Sequence, residues 1–263
     1  MKLLPQTINS IKAAIKAGKL LFKYRNESLL IKIKGDSCRD VVTEVDFASE
    51  QIILKEIERE FPDFAYISEE KGDKRNGAKN FWIIDPLDGT ANYTSGLPIY
   101  GVSIAYVENY SLISGVIYLP ETNDLYFAEL NKGAYLNNKK LIYTKQSKIS
   151  NSLISITFPS NFKDKLEEEK SYSTFHELNK ISKGALRLGS SVYALALLSA
   201  EKLNAIVGFK AKIWDIAAGV LINRESGLET SFKDKNLLEI EHDYIICNKD
   251  SFNSLNKYLL LSN

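Results

Sequence analysis

The chain has 263 residues, of which 44% are hydrophobic and 25% charged, the balance of a folded globular protein. Its formal net charge is only +1, so no overall field draws it to nucleic acid or to a membrane surface, and we predict neither as a partner. Two cysteines, Cys38 and Cys247, do not form a disulfide framework, and two histidines leave little material for a histidine triad or a zinc site, so carboxylates and hydroxyls are expected to carry any chemistry.

The N-terminal segment predicts a helix and no targeting sequence. Residues 7–24 carry apolar side chains three and four positions apart, the spacing of an amphipathic helix. Lys12, Lys16 and Lys19 interrupt the apolar residues, so the segment does not resemble a secretory signal. No apolar run in the sequence is long enough to cross a bilayer, and we expect a cytoplasmic protein.

A second helix and a run of strands follow in the first half. Residues 46–61 again show helical spacing, and Pro62 ends it. Short apolar runs bounded by turn residues then predict strands at 65–67, 81–84, 100–107, 112–118, 125–128 and 134–136. A polar loop is expected over residues 71–80. Turn residues punctuate the strands between Tyr100 and Leu136, so these strands are predicted to form a meander.

Helices and strands alternate in the second half. The predicted strands cover residues 153–158, 205–207 and 244–247. The predicted helices cover Lys163–Ser182, Ser190–Lys202, Asp215–Glu225 and Ser251–Leu261. With no repeats and no linker rich in proline or glycine, this order predicts a layered α/β or α+β protein without a clear domain boundary.

The strongest chemical signal is the segment Trp82–Thr90, in which a short apolar run leads into Asp-Pro-Leu-Asp-Gly-Thr. Asp85 and Asp88, three residues apart on a tight turn, can converge on a hard cation. Gly89 and Thr90 can open a short helix whose free N–H groups suit a phosphate. Asp-Pro and Asp-Gly are also common in ordinary turns, which would explain either aspartate alone. The whole segment favours a functional site.

A second acidic segment, Asp40–Asp46, leads into the second helix. Thr43 or Asp46 can cap that helix, because a side-chain oxygen at the N-cap accepts from free N–H groups and an acid complements the helix dipole. Taken alone, this segment indicates capping rather than chemistry.

Two further segments place acids at the ends of elements. Glu69 and Glu70 follow a short strand, where an acidic pair usually belongs to a solvated loop. Trp214–Gly219 contains Asp215, which can cap the next helix, and small residues that permit close packing. Each has an ordinary structural explanation when taken alone.

Together the four segments resemble the inositol monophosphatase superfamily of magnesium-dependent, lithium-sensitive phosphatases. This superfamily includes fructose-1,6-bisphosphatases and 3′-phosphoadenosine 5′-phosphate (PAP) phosphatases. The resemblance spans nearly the whole chain, with the motifs in family order. It implies an α/β (α+β) fold, a layered αβαβα sandwich, formed by one phosphatase unit over residues 1–263. A metal-binding α+β half, 1–150, would face an α/β half, 151–263, that closes the cleft. Homodimers are common in the family.

The resemblance also implies a metal site. The ligands of two or three Mg²⁺ ions would be Glu69, Asp85, the main-chain carbonyl of Leu87, Asp88 and Asp215. Asp85 would bridge two ions, and Glu70 would support the cluster. Lithium is the expected inhibitor.

The remaining implied roles concern the reacting water and the substrate. Asp46 would pair with the Thr90 hydroxyl, and these two together with Glu69 would orient and deprotonate the attacking water. The phosphate ester would be held by Asp88, Gly89, Thr90, Gly189, Ser190, Ser191 and Asp215.

The substrate predicted by resemblance is inositol-1-phosphate, or another small phosphate monoester, hydrolysed by metal-activated water. One position departs from the pattern. Seven residues before Asp215, where the family commonly has an acid that grips ring hydroxyls, this chain has Gly208, with Lys210 and Lys212 nearby. These lysines, and Arg187, suit a second phosphate. Fructose-1,6-bisphosphatase and 3′(2′),5′-bisphosphate nucleotidase are therefore alternatives, and a catalytically silent regulatory protein is the non-enzyme alternative.

Overall fold

The structure is a computed structural model that describes residues 2–25, 31–33, 41–159, 161–162 and 164–260. Four residues that the predictions include lie outside these ranges: Cys38, Asp40, Lys163 and Leu261.

Seven α-helices and fifteen β-strands form within the described ranges. The helices are α1 (Pro5–Tyr24), α2 (Glu44–Glu60), α3 (Thr90–Thr94), α4 (Lys165–Ile181), α5 (Ser191–Ser199), α6 (Ile213–Glu225) and α7 (Lys249–Leu260). The strands are β1 (Ile31–Ile33), β2 (Val41–Thr43), β3 (Tyr66–Ser68), β4 (Gly72–Lys74), β5 (Phe81–Asp88), β6 (Gly101–Glu108), β7 (Ser111–Leu119), β8 (Asp124–Glu129), β9 (Gly133–Leu136), β10 (Lys139–Leu141), β11 (Leu153–Thr157), β12 (Gly184–Leu186), β13 (Ala205–Lys212), β14 (Glu229–Thr230) and β15 (Glu241–Cys247).

Two sheets organise the molecule. The large sheet has the strand order β10-β9-β8-β7-β6-β5-β3-β4, and its one parallel pair is β3 with β5. The small sheet has the order β12-β11-β13-β15-β14, with β11 parallel to both of its neighbours. Strands β1 and β2 form a separate hairpin. The predicted meander is confirmed as β6 to β10.

Helices α1 and α2 cover one face of the large sheet. Their inward residues, such as Ala17, Leu21 and Ile53, pack against Trp82 and Val116 in one apolar cluster. The lysines of α1 lie on the opposite, exposed side, whereas α2 also buries three acids, Asp46, Glu50 and Glu56.

Helices α5 and α6 lie between the two sheets and are apolar on all sides, as burial on both faces requires. They approach each other closely because Gly219 has no side chain: a Cβ there would lie 2.6 Å from the Cβ of Leu195. The small residues at the start of α6 therefore permit close packing, as predicted.

Helices α4 and α7 cover the outer face of the small sheet. Leu178 of α4 and Leu255 of α7 share an apolar cluster with Ile156, Val207 and Ile245. The order of layers is thus α1/α2, large sheet, α5/α6, small sheet, α4/α7. The predicted αβαβα sandwich is confirmed.

Several local features differ from the predictions. The short strands β1, β2, β4, β10, β12 and β14 were not predicted, because two or three residues carry no usable period. Strand β13 continues to Lys212, where a strand of only three residues was expected. Asp215 does not cap α6: the N-cap is Lys212, and Asp215 is the third helical residue. The division into halves 1–150 and 151–263 stays a prediction. No helix in the described part of the chain has the length and apolar character needed to cross a membrane.

Candidate active site

The turn at the end of β5 carries two of the predicted acids. Strand β5 pairs regularly with β6 as far as Asp85, and the register then shifts before Asp88. Pro86 lies within this shift, where the strand makes no ladder hydrogen bond that would need the N–H that proline lacks. The Asp85 Oδ1 atom accepts from the Leu87 N–H at 3.0 Å, and Ser49 of α2 donates to the Pro86 carbonyl at 2.7 Å. The turn is therefore held from both sides.

Glu69 reaches the same site through the parallel pair of strands. Because β3 and β5 run in the same direction, with Ser68 opposite Ile84, their carboxyl ends meet at one edge of the sheet. The Glu69 N–H donates to the Ile84 carbonyl at 3.2 Å. Glu69 and Asp85, sixteen positions apart in sequence, are thereby neighbours.

Asp215 completes a cluster of three aspartates. One carboxylate oxygen from each of Asp85, Asp88 and Asp215 lies within 4.8 Å of the other two. Asp215 arrives from the first turn of α6, which is tied to the large sheet by a hydrogen bond of 3.2 Å from the Ser103 hydroxyl to the Trp214 carbonyl. We call these three residues the aspartate cluster.

The electrostatics of the aspartate cluster favour a bound cation. Burial raises the pKa of Asp85 well above its ordinary value, and the charges of the neighbouring acids, Glu69 first, raise it further. Burial also raises the pKa of Asp215, with Asp88 and Glu69 adding to the effect. The pKa of Asp88 is raised to about 6 by burial, although its hydrogen bonds favour the charged form. These acids are costly to ionise together without a compensating positive charge.

A second observation agrees with metal binding. The Oδ2 atom of Asp85 is fully buried and has no hydrogen-bond partner among the described residues. A buried carboxylate oxygen without a donor is expensive. Hard cations such as Mg²⁺ or Ca²⁺ bind carboxylate and carbonyl oxygens, so these residues fit a metal ion.

Asp46 lies behind Thr90 and is held by the start of α2. Its Oδ2 atom accepts from the N–H of Thr43 at 2.8 Å and from the Thr43 hydroxyl at 2.5 Å, which completes a capping box. Its Oδ1 atom accepts from the Thr90 hydroxyl at 3.1 Å. Asp46 therefore both caps the helix and contacts Thr90, so the capping prediction and the predicted pairing are satisfied by one carboxylate.

Gly89 makes the approach of Thr90 possible. Its φ of +87° is in the left-handed region, and a Cβ at this position would lie 2.7 Å from the Ile99 carbonyl oxygen. The Thr90 hydroxyl also lies 3.1 Å from the Leu87 carbonyl oxygen, so Leu87, Thr90 and Asp46 form one connected group.

Residues of α5 hold Asp88 from the opposite half of the chain. The Oδ2 atom of Asp88 accepts from the Ser190 hydroxyl and, at 2.8 Å, from the Val192 N–H. The side-chain amide of Asn92 donates to the carbonyls of Ile99 and Leu188, both at 2.9 Å. These contacts fix the predicted Gly189–Ser191 segment beside the aspartate turn.

A cleft of about 460 Å³ opens above these residues. Predicted residues on its walls are Glu69, Leu87, Asp88, Gly89, Thr90, Gly189, Ser190, Ser191 and Asp215. Asp85 lies beneath the floor, and Asp46 lies behind Thr90. Glu70 is not among the described residues that line the cleft, so the structure does not bring it to the site as closely as Glu69.

The basic residues near the cleft do not supply the free positive charge that the sequence suggested. Lys210 forms an ion pair of 2.6 Å with Glu167, and Lys212 forms one of 2.6 Å with Glu241. The expectation that these lysines favour a second phosphate is therefore weakened. Arg187 does line the cleft, and its guanidinium lies 4.7 Å from the centre of the Phe158 ring.

Sequence reasoning missed part of the cleft. Thr157, Phe158 and Phe209 also line it, and Tyr244 lies directly behind Thr157. Thr157 is the last residue of β11 and lies near the end of the strand predicted over 153–158, which is the signal that could have identified it. Tyr244 gives no such signal, because its neighbours are known only once the strands are aligned.

Comparison with known proteins gives one consistent family. The model of the inositol monophosphatase family matches residues 4–261. Among curated relatives, Nus factor SuhB of Xylella fastidiosa is 33% identical over 217 residues, covering 82% of this chain and 78% of the relative. Fructose-1,6-bisphosphatase/inositol-1-monophosphatase of Thermotoga maritima is 31% identical over 244 residues, covering 91% and 90%. The solved structure of a Thermotoga maritima IMPase has a TM-score of 0.86 at 27% identity and covers 98% of each chain.

Proposed function

Because the chain belongs to the inositol monophosphatase family, we propose that it is a Mg²⁺-dependent enzyme that hydrolyses phosphate monoesters of small metabolites. The observation that carries this proposal is the aspartate cluster, in which the sequence-distant Asp215 brings a carboxylate to Asp85 and Asp88 beside a cleft of about 460 Å³. The unpartnered, buried Oδ2 atom of Asp85 supports it.

We assign the metal ligands to Glu69, Asp85, the Leu87 carbonyl, Asp88 and Asp215. When bound there, Mg²⁺ would neutralise negative charge on the phosphoryl group and on the departing oxygen, which is the main requirement of phosphoryl transfer. Glu69 belongs with the ligands because it lies close enough for its charge to raise the pKa of both Asp85 and Asp215. Glu70 would act one step away from this cluster.

The protein's own groups would guide the attacking water. The Thr90 hydroxyl donates to Asp46, so its oxygen has lone pairs that can accept a proton from a water molecule in the cleft. The proton of Thr90 can then move to Asp46, whose other oxygen is fixed by Thr43. Glu69, on the cleft wall, would orient the same water. This arrangement is general-base catalysis through a positioned hydroxyl.

The substrate would lie between the two halves. Main-chain N–H groups of Gly89 and Thr90 would bind the phosphate, and Gly189–Ser191 would face the alcohol part of the ester. Inositol-1-phosphate is the substrate we propose first. One relative is named for both fructose-1,6-bisphosphatase and inositol-1-monophosphatase, which keeps bisphosphates as alternatives.

A phosphate-release assay tests this proposal. The purified protein would be given inositol-1-phosphate, fructose-1,6-bisphosphate, PAP and para-nitrophenyl phosphate, each with Mg²⁺ and with EDTA. We expect release from at least one ester that depends on Mg²⁺ and is inhibited by lithium. Release at the blank level from all four esters at saturating Mg²⁺ would contradict the enzyme proposal.

A regulatory role is the second candidate, and the relatives named Nus factor SuhB are the observation that favours it. It would gain support from the blank result just described. The aspartate cluster favours the enzyme, since a purely regulatory protein does not need three carboxylates brought together beside a cleft.

A further inference from the structure

Three residues form a row across neighbouring strands of the small sheet, and the first of them, Thr157, lines the cleft. Thr157 of β11 lies opposite Gly208 of β13, and Gly208 lies opposite Tyr244 of β15. Directly opposite residues in adjacent strands point to the same face of a sheet. Here that face is the one covered by α5 and α6, because Tyr244 belongs to their apolar cluster.

The glycine in the middle of the row lets the tyrosine ring cross it. A Cβ built on Gly208 would lie 2.0 Å from Cε1 and 2.7 Å from Cζ of Tyr244, so the ring occupies the space of a side chain at position 208. The Tyr244 hydroxyl thereby reaches the Thr157 Oγ1 atom at 3.3 Å. Gly208 is therefore not an empty place on the cleft rim, since Tyr244 fills it.

The Tyr244 hydroxyl lies one contact behind the cleft wall. It contacts the Thr157 side chain, which lines the cleft beside Ser191, whereas Tyr244 itself is fully buried. Burial raises the pKa of Tyr244, and the nearby Asp215 and Asp88 charges add to the rise. The phenol is thus neutral at physiological pH and able to donate.

This part of the cleft offers hydroxyl groups instead of a carboxylate. A carboxylate only accepts hydrogen bonds, whereas a hydroxyl both donates and accepts. The Thr157 and Ser191 hydroxyls can therefore contact either a substrate hydroxyl or an oxygen of a second phosphate. Lys210 and Lys212, the nearest lysines on the rim, are already paired with acids.

We propose that Tyr244 is a positioning residue that orients the Thr157 hydroxyl to receive the alcohol part of the substrate, so that the cleft accepts polyol esters and bisphosphates without strong preference. This inference rests on the proposed phosphatase function and adds a specificity device to it.

The test is the substrate ratio of Tyr244→Phe, which removes the hydroxyl and keeps the ring over Gly208. We expect kcat/KM for inositol-1-phosphate to fall about two- to tenfold more than kcat/KM for para-nitrophenyl phosphate, mainly through KM. The loss of one neutral hydrogen bond has an effect of about this size, and the aryl ester has no alcohol hydroxyls to be affected. Tyr126→Phe is the matched control, since Tyr126 is equally buried and does not line the cleft. It should leave the ratio unchanged.

A double-mutant cycle with Thr157→Val separates positioning from a general loss of structure. If Tyr244 acts through Thr157, its substitution should change the ratio less in the Thr157→Val background than in the wild type. Equal losses on both esters, or fully additive effects, would overturn the inference while leaving the phosphatase intact. If the wild type hydrolyses no ester, the proposed function fails. In that case, calorimetry would measure the affinities of the wild type and of Tyr244→Phe for inositol-1-phosphate and for inorganic phosphate. A larger loss for inositol-1-phosphate would support the inference, and equal losses would overturn it.

Discussion

The two sides of the cleft differ in how their charges are compensated. On one side, the aspartate cluster brings three carboxylates together, of which Asp85 is fully buried, and the neighbouring acids raise the pKa of Asp85 and Asp215. On the other side, Lys210 and Lys212 are half-exposed and each forms an ion pair with a neighbouring acid. The first side needs a ligand to be stable in its charged form, whereas the two lysines of the second are already compensated. Under the proposed function, the aspartate side would set the reaction and the other side would set substrate choice.

The largest effect is expected at the centre of the aspartate side. Asp85→Asn keeps the shape of the side chain but removes one charge and one metal-binding oxygen. We expect kcat to fall at least about a thousandfold, because metal ions contribute several kcal/mol to stabilising the transition state. Phosphate release at saturating Mg²⁺ measures this effect. Asp73→Asn, on the exposed strand β4, is the control and should retain full activity. Wild-type turnover in Asp85→Asn would remove Asp85 from the metal site.

A second prediction concerns the stability of the metal-free protein as pH changes. A carboxyl group whose pKa is higher in the folded protein than in the unfolded chain binds its proton more tightly when folded. The free energy of unfolding therefore falls as pH rises from about 4, the unfolded value, through the folded value. For Asp88 that interval ends at about 6, and for Asp85 and Asp215 it extends higher. The expected loss is on the order of a few kcal/mol.

Melting temperatures measured in EDTA between pH 4.5 and pH 8 test this prediction, and the same series in Mg²⁺ is the control. Mg²⁺ should flatten the decline, because a cation at a hundred times its Kd adds about 2.7 kcal/mol to the folded state. A metal-free protein that becomes more stable over this interval would argue against buried, mutually repelling carboxylates.

The sequence predicted the aspartate side far better than the opposite one, and the reason is local. Asp85, Asp88, Gly89 and Thr90 lie within six residues, so one turn carries their mutual geometry. The capping role of Asp46 is equally local, since its partner Thr43 is three positions away. The long helices and the strands of the meander were also predicted, because their apolar spacing extends over many residues.

The opposite side depends on alignments that one sequence does not contain. Thr157, Gly208 and Tyr244 meet only because β11, β13 and β15 pair in one particular register. The sequence around Gly208 does not indicate that the Tyr244 ring occupies the space of a side chain at this position. The pairing of Lys210 with Glu167 likewise joins a bulged strand to a helix 43 positions earlier in the chain. A lysine close in sequence to residues of the cleft therefore does not predict a lysine whose charge is free to bind substrate.

The smallest expected effect tests that last point. Lys210→Gln removes the charge, keeps a side chain of similar length, and leaves the hydrogen bond from the main-chain N–H of residue 210 to Asp243 in place. Because Glu167 already compensates the lysine, we expect the ratio of kcat/KM for fructose-1,6-bisphosphate to that for inositol-1-phosphate to change by less than about threefold, as for other exposed ion pairs. An uncompensated lysine bound to a second phosphate would change the ratio by about tenfold or more.

Glu167→Gln should shift the ratio the opposite way, towards the bisphosphate, since it frees the Lys210 charge. Lys165→Gln is the control, because Lys165 is exposed on α4 away from the cleft. A tenfold loss of bisphosphate preference in Lys210→Gln would show that this side of the cleft is not neutral, and the comparison of the two sides would then be wrong.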